Sequence, residues 1–259
     1  MISNPSKPVI TPNIAYVTTD GTGDGEVGNR AKPFTPAAAV ALGSGVIVDW
    51  GVGTLNADPL PSSTPFTVTV PAGYVGYWRG AGLGKTAIVV TCTPGANGAN
   101  GADEVYHEDL PDNPGTFIVD SNATDGAVGE NAMPVHIHSV VPDSFSLQAA
   151  GPDGGNGGVQ GGDSNGTRPA PGNGGFPGNV YLYGCGELQV TSGRGGWDAQ
   201  LTPSRTENDG DIYYQGCSVI SLNAGTGNLQ DVDIFGTPNI VSVPGIGTAS
   251  SNRIVYIPS

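Results

Sequence analysis

Positive charge is scarce in this 259-residue chain: nine Lys and Arg residues stand against 23 Asp and Glu, for a formal net charge of −14. A surface of that sign repels phosphate backbones, so nucleic acid is excluded as a partner class. Cysteine is nearly absent. Cys92, Cys185 and Cys217 form no Cys-x-x-Cys pair and no zinc spacing, and the odd, sparse set reads as buried thiols rather than a disulfide framework. No apolar run approaches the ~20 residues of a membrane-spanning helix, so membrane insertion is not expected. The opening stretch MISNPSKPVITPN lacks the apolar core of a signal peptide, and exit from a cell is therefore expected by lysis or by assembly into a particle. Helical sequence is equally short. Only TPAAAVALG (35–43) carries helix punctuation, with Thr35 as N-cap, Pro36 at the first helical position and Gly43 just past the end.

What the chain has instead is glycine and proline, 43 and 22 residues, interrupted throughout by short runs of Val, Ile, Phe and Tyr. That pattern suits many short strands joined by turns. The runs VIVDW (from 46), FTVTV (66), AIVVT (87), TFIVD (116) and VHIHS (135) recur at about twenty residues, the mark of a solenoid whose coils bury apolar faces only by stacking. Within FTVTV, alternation turns Phe66, Val68 and Val70 inward and Thr67 and Thr69 outward. Later runs (VYLYG from 180, LQVTS from 188, SVISL from 218, VDIFG from 232, IVYIP from 254) continue the theme less regularly.

The stretch YVTTDGTGDGEVGNRAKPFTPAAAVAL, followed by GVIVDWGVGTL, resembles the N-terminal cap and first coil of right-handed parallel β-helix proteins of the pectate-lyase-like superfamily. The resemblance covers residues 15–92 and implies an all-β right-handed parallel β-helix. It would have an N-terminal arm (1–14), a short cap helix, and one β-helix domain over 15–259 carrying a glycine-rich loop insert at 151–178. WRGAGLGKTAIVV (78–90) superficially resembles a phosphate-binding loop. Gly80 and Gly84 are too close together for that, however, and a β-type run follows where a helix is needed. Gly80, Gly82 and Gly84 instead read as a tight corner between coils, with Thr86 leading into the next strand.

In GPDGGNGGVQGGDSNGTRPAPGNGGFPG (151–178) glycine recurs at every third position, with an echo at Gly95, Gly98 and Gly101. Three residues is the polyproline-II period, and glycine at that period lets chains pack closely. The segment is either a flexible linker or a packed bundle. As a bundle it resembles the glycine-rich receptor-binding tips of T-even-like phage adhesins, which implies that Val159, Gln160, Arg168 and Phe176 decorate receptor-binding loops.

Candidate chemistry is thin. His136 and His138 share one face of a strand. Two ligands do not close a metal site, but trimeric phage fibres with His-x-His pairs are similar and imply a metal ion on a threefold axis. Asp20, Asp24 and Glu26 form an acidic turn that could meet calcium or simply cap backbone N–H groups. A glycosidase needs two carboxylates at a set separation, for which Asp198, Glu207, Asp209, Asp211, Asp231 and Asp233 are available. Trp50, Trp78 and Trp197 are expected to cover coil ends and interfaces rather than stack on sugars. With no clear catalytic set and no other cofactor expected, these features point to a structural protein on a bacteriophage particle, in a capsid decoration or a tail spike or fibre. It would act non-catalytically through assembly as a homotrimer with other virion proteins and through contact with a host surface glycan. The alternatives are a polysaccharide depolymerase on the same scaffold and, more distantly, an ice- or mineral-binding solenoid.

Overall fold

The computed structural model describes residues 13–22, 24–51, 65–108, 117–163, 169–199, 210–217, 219–223, 240–242 and 254–256. Strand is their main regular secondary structure. The elements are β1 (Ile14–Thr22), helix α1 (Pro36–Ala41), β2 (Ile47–Asp49), β3 (Phe66–Val70), β4 (Val75–Arg79), β5 (Ala87–Cys92), β6 (Val105–Glu108), β7 (Phe117–Ser121), β8 (Val135–Ser139), β9 (Ser146–Ala150), β10 (Val180–Tyr183), β11 (Glu187–Thr191), β12 (Ile212–Gln215), β13 (Val219–Asn223), β14 (Ile240–Ser242) and β15 (Ile254–Tyr256). The helix is the one the sequence punctuates: the Thr35 side chain accepts a hydrogen bond from the Ala38 N–H at 3.2 Å, and Gly43 turns left-handed just beyond the end.

Two parallel sheets carry the structure. One has seven strands in the order β1-β2-β4-β8-β10-β12-β15, and the other six in the order β14-β13-β11-β9-β5-β3. From β8 to β13 the chain alternates between them, so neighbours within a sheet come from successive passes. FTVTV and AIVVT are neighbouring rungs of one sheet at the spacing the runs suggest, with Phe66 beside Ile88. Farther along the repeat is longer: Ile88 lies beside Leu147, Leu147 beside Leu188, and Leu188 beside Ile220, because VIVDW and VHIHS belong to the other sheet. One expected rung is not a rung: TFIVD forms β7, which pairs antiparallel with β6 in a separate hairpin.

The alternation in FTVTV is realised as buried Phe66, Val68 and Val70 between exposed threonines. Rows of apolar residues one strand apart then build a single core: Ile88, Leu147 and Leu188 from one sheet meet Val48, Ile137 and Leu182 from the other. Burying such a side chain stabilises by roughly 1.5–3 kcal/mol. Trp50 and Trp78 lie inside this core rather than over its ends, with ring centres 5.1 Å apart.

The glycine corner of residues 80–86 is confirmed. Gly82 and Gly84 have φ of 125° and 73°, Lys85 and Thr86 both donate to the Gly82 carbonyl, and a Cβ on Gly80 would lie 2.2 Å from the Ser144 carbonyl oxygen. The Arg79 guanidinium Nε donates to Asp49 Oδ2 at 2.9 Å, one strand away.

The glycine-rich segments are the packed bundle, not the flexible linker, of the two expected alternatives. Five of them, which we number arm 1 (95–103), arm 2 (124–133), arm 3 (151–162), arm 4 (170–178) and arm 5 (192–199), hydrogen-bond side by side in a three-residue repeat, the polyproline-II period. Gly95, Gly98 and Gly101 donate to Asp153, Asn156 and Val159. Gly155 and Gly158 donate to Glu130 and Ala127, Gly172 and Gly175 to Gly158 and Gly155, and Gly154 and Gly157 to Arg194 and Trp197. Arms 1, 3 and 5 run the same way in one layer, and arms 2 and 4 run back in a second. Arm 3 bonds to all four others, which is why its sequence doubles the glycines (GGNGGVQGG).

Each outgoing arm continues a strand of one sheet (β5, β9, β11), and each returning arm enters a strand of the other (β8, β10). The bundle is thus an extension of both sheets without their side-chain core. A Cβ on Gly158 would sit 1.9 Å from the Ala99 carbonyl oxygen, and one on Gly98 2.0 Å from that of Ala127. Gly158→Ala is therefore expected to destabilise by about 2 kcal/mol or more, whereas Val159→Ala next to it changes stability by less than about 0.5 kcal/mol. Thermal unfolding of the two variants checks the contrast.

Candidate functional site

The bundle delivers the chain to one end. Arms 1, 3 and 5 leave the sheets in parallel, so all three end away from the sheets; of the connections that follow them in sequence, at 104–123, 163–169 and 200–209, residues 109–116, 164–168 and 200–209 lie outside the described residues. The first contains the β6–β7 hairpin, which exposes Val105, Tyr106 and Val119.

The outer surface of the bundle is built from every third residue, and Asn and Asp dominate it. In arm 1 the triplet Gly-Ala-Asx divides its work: glycine donates to arm 3, alanine accepts from arm 2, and the Asx side chain accepts from arm 3. Oδ1 of Asn97, Asn100 and Asp103 accepts the N–H of Asn156, Val159 and Gly162 at 2.9, 3.0 and 2.7 Å. Asp153 and Asn156 do the same for Arg194 and Trp197 (2.7 and 2.9 Å), and Asp125 and Asn131 for Ala170 and Phe176 (2.6 and 2.8 Å). Other outer positions carry exposed apolar side chains, Val159 and Trp197 on one layer and Val128 and Phe176 on the other, and two more carry Arg194 and Asn173.

The proposed surface residues are consequently not gathered into one patch. Val159 and Gln160 lie toward the far end of arm 3, Phe176 lies near the sheet end of arm 4 in the other layer, and Arg168 falls outside the described residues. Among the candidate carboxylates, Asp198 accepts the Gly174 N–H at 2.7 Å and Asp211 accepts from the Tyr213 hydroxyl at 2.9 Å. Glu207, Asp209, Asp231 and Asp233 fall outside the described residues. In the acidic turn, Glu26 is engaged by Lys32 at 3.1 Å and by Asn29, and both partners hold its carboxyl below the usual carboxylate range.

His136 and His138 point outward from β8 as expected, but each is half-buried in a ladder of rings. The His136 ring stacks on Tyr181 at 4.3 Å, and Tyr181 stacks on Tyr213 at 4.5 Å. His138 stacks on Tyr183 at 4.3 Å and on Tyr77 at 5.0 Å. Parallel register places these residues opposite one another on β4, β8, β10 and β12. Because the inner ring faces are used by neighbours, the ladder offers edges and hydroxyls, not open faces, to a ligand. Among the described residues no third His, Cys or carboxylate joins the pair to form a metal group. Nothing in the sequence spacing links the rings, since the tyrosines lie a full pass away.

Comparison with protein-family models, curated proteins and solved structures finds no match to this chain.

Burial lowers the proton affinity of both histidines, and for His138 the neighbouring His136 adds to the effect. Their folded pKa thus lies below the unfolded value of ~6.5. The stability they confer is complete above that value and is lost as pH falls through the folded pKa, because the unfolded chain binds protons first. Replacing both by tyrosine (His136→Tyr with His138→Tyr), which keeps the ladder, is expected to flatten the fall in melting temperature between pH 7 and pH 5 relative to the parent. Melting curves across that range check it.

Proposed function

We propose that this chain is a non-catalytic structural protein of a bacteriophage particle that binds a surface through the connections at the end of its glycine bundle. In this reading the two parallel sheets are walls of a right-handed parallel β-helix, and the bundle is its projecting head. The protein assembles as a homotrimer with other virion proteins, and the head meets a glycan on the host surface. A tail spike or fibre is favoured over capsid decoration, because the arms carry three connections of unrelated sequence, as an adhesive tip would present.

One observation carries the proposal: three connections of unrelated sequence start from the same end of a rigid, hydrogen-bonded support. Loops held by a rigid framework lose less conformational entropy on binding than loops on a flexible stalk. The acidic surface suits a neutral or cationic target better than an acidic polysaccharide, and Asp198 and Asp211, the described carboxylates available for hydrolysis, both hold hydrogen bonds within the fold.

The test is sedimentation of the purified protein with a panel of intact bacteria and with glycan extracted from any that bind it. Exchanging residues 105–121 for a short Gly-Ser turn is expected to weaken binding at least tenfold while the melting temperature of the remainder holds. Undiminished binding after exchange of all three connections overturns the placement of the site. Sustained release of new reducing or unsaturated sugar ends overturns the non-catalytic reading in favour of a depolymerase.

A further inference from the structure

Two of the three cysteines stand one above the other. Tyr183 is in register with Gln215 on the neighbouring strand of one sheet, and Glu187 with Val219 on the neighbouring strand of the other. Each pair of strands is joined by three residues, Gly184-Cys185-Gly186 and Gly216-Cys217-Ser218. The two corners open alike: Gly184 and Gly216 have φ of 66° and 67°, and the Gly184 N–H donates to the Gln215 carbonyl across the corner at 2.7 Å. The side chains repeat as well. The Cys185 thiol lies 3.7 Å from the Tyr183 carbonyl, and the Cys217 thiol lies 3.6 Å from the Gln215 carbonyl. Backbones at strand separation, ~4.8 Å, fall inside the Cα window of a disulfide, about 4.4–6.8 Å.

From this stacking we infer that Cys185 and Cys217 form a disulfide when the protein meets an oxidising medium, stapling two successive passes of the chain. The functional reading above is not needed for it. The order of events follows from exposure and electrostatics. Cys217 is only partly buried, whereas Cys185 is fully enclosed. Interaction between the two thiols lowers the proton affinity of Cys217 and, together with burial, raises that of Cys185. Cys217 is therefore the attacking thiolate. Against a small disulfide such as oxidised glutathione, the Cys217 sulfur displaces one glutathione thiolate and forms a mixed disulfide. The Cys185 thiol then gives up its proton and its sulfur displaces the second glutathione, closing Cys185–Cys217. Two protein thiols are oxidised and one glutathione disulfide is reduced to two thiols. Cys92 stands apart: its neighbours in the sheet are not cysteines, and burial, aided by the Asp153 charge, pushes its thiol up to about 12.

The experiment uses the intact chain, purified with reductant, freed of it and incubated with oxidised glutathione at pH 8. Denaturation in iodoacetamide is expected to label only Cys92, with an intact mass lower by two hydrogens in the unlabelled protein and a Cys185–Cys217 peptide on digestion. The melting temperature is expected to rise by about 5 °C or more over the reduced form, a rise that Cys217→Ser abolishes. Labelling of all three cysteines, a glutathione adduct that persists on Cys217, or a linkage to Cys92 overturns the inference, and each is read on the wild-type chain whether or not the variant folds.

Discussion

The structure depends on backbone hydrogen bonding between extended chains that have no internal bonds of their own. A polyproline-II segment satisfies none of its own N–H or C=O groups, and buried groups of that kind must be paired. In the glycine bundle they are paired laterally, arm to arm, at distances of about 2.7–3.1 Å. That geometry requires the backbones to approach until a Cβ would overlap a neighbouring carbonyl oxygen, as at Gly126, Gly155, Gly161 and Gly196. Glycine is therefore the only residue the inward positions accept. Its usual entropic cost is offset because nearly every inward N–H finds a partner. Cα–H groups brought against carbonyl oxygens at the same positions add a weaker attraction.

The sheets and the bundle solve the same accounting problem with different spacings. Sheets that face each other stand roughly 10 Å apart, and side chains such as Trp78, Phe145, Ile137 and Leu188 fill the gap. Where the sequence changes from alternating apolar residues to glycine triplets, the gap closes and two layers touch through backbone alone. The order of strands fixes the order of arms: β5, β9 and β11 deliver arms 1, 3 and 5 side by side, already in parallel register. The arms do not have to find one another from an open chain, so the body of the protein lowers the loop-closure cost of assembling the bundle.

Much of this was legible in the sequence, and the reason differs from feature to feature. The helix at 36–41 and the alternation in FTVTV are local, set by capping and by a two-residue period, and both appear where the residues place them. The three-residue glycine period was legible too, but period alone does not distinguish a packed arm from a linker; that depends on a partner about 59 residues away, as Asn97 and Asn156 show. The role of Asn and Asp was hidden for the same reason. Residues that read as solvated loop or candidate acids are acceptors for a neighbouring arm. The rung assigned to TFIVD failed because a β-type run carries no mark of whether its partner is parallel or antiparallel. The ring ladder of His136, His138 and four tyrosines was invisible, since register across strands brings together residues from separate passes.

The triplet also separates support from surface. In arm 1 two positions of every three are committed to neighbours through backbone atoms, the exposed alanines adding only a methyl group to the surface, and the third projects a longer side chain outward. At that third position the fold accepts Asn97, Asp103, Val159, Trp197 and Phe176 alike. Asn or Asp there adds a bond of about 1 kcal/mol, and an apolar residue gives up the bond but leaves the arm-to-arm ladder intact. Sequence can thus change at the outer positions and in the connections beyond the arms without disturbing the inward glycines. An architecture with a side-chain core lacks that freedom, because substitutions on one face are felt through packing on the other. Here nothing but backbone lies between the layers, so the surface is free to vary while the support is held fixed.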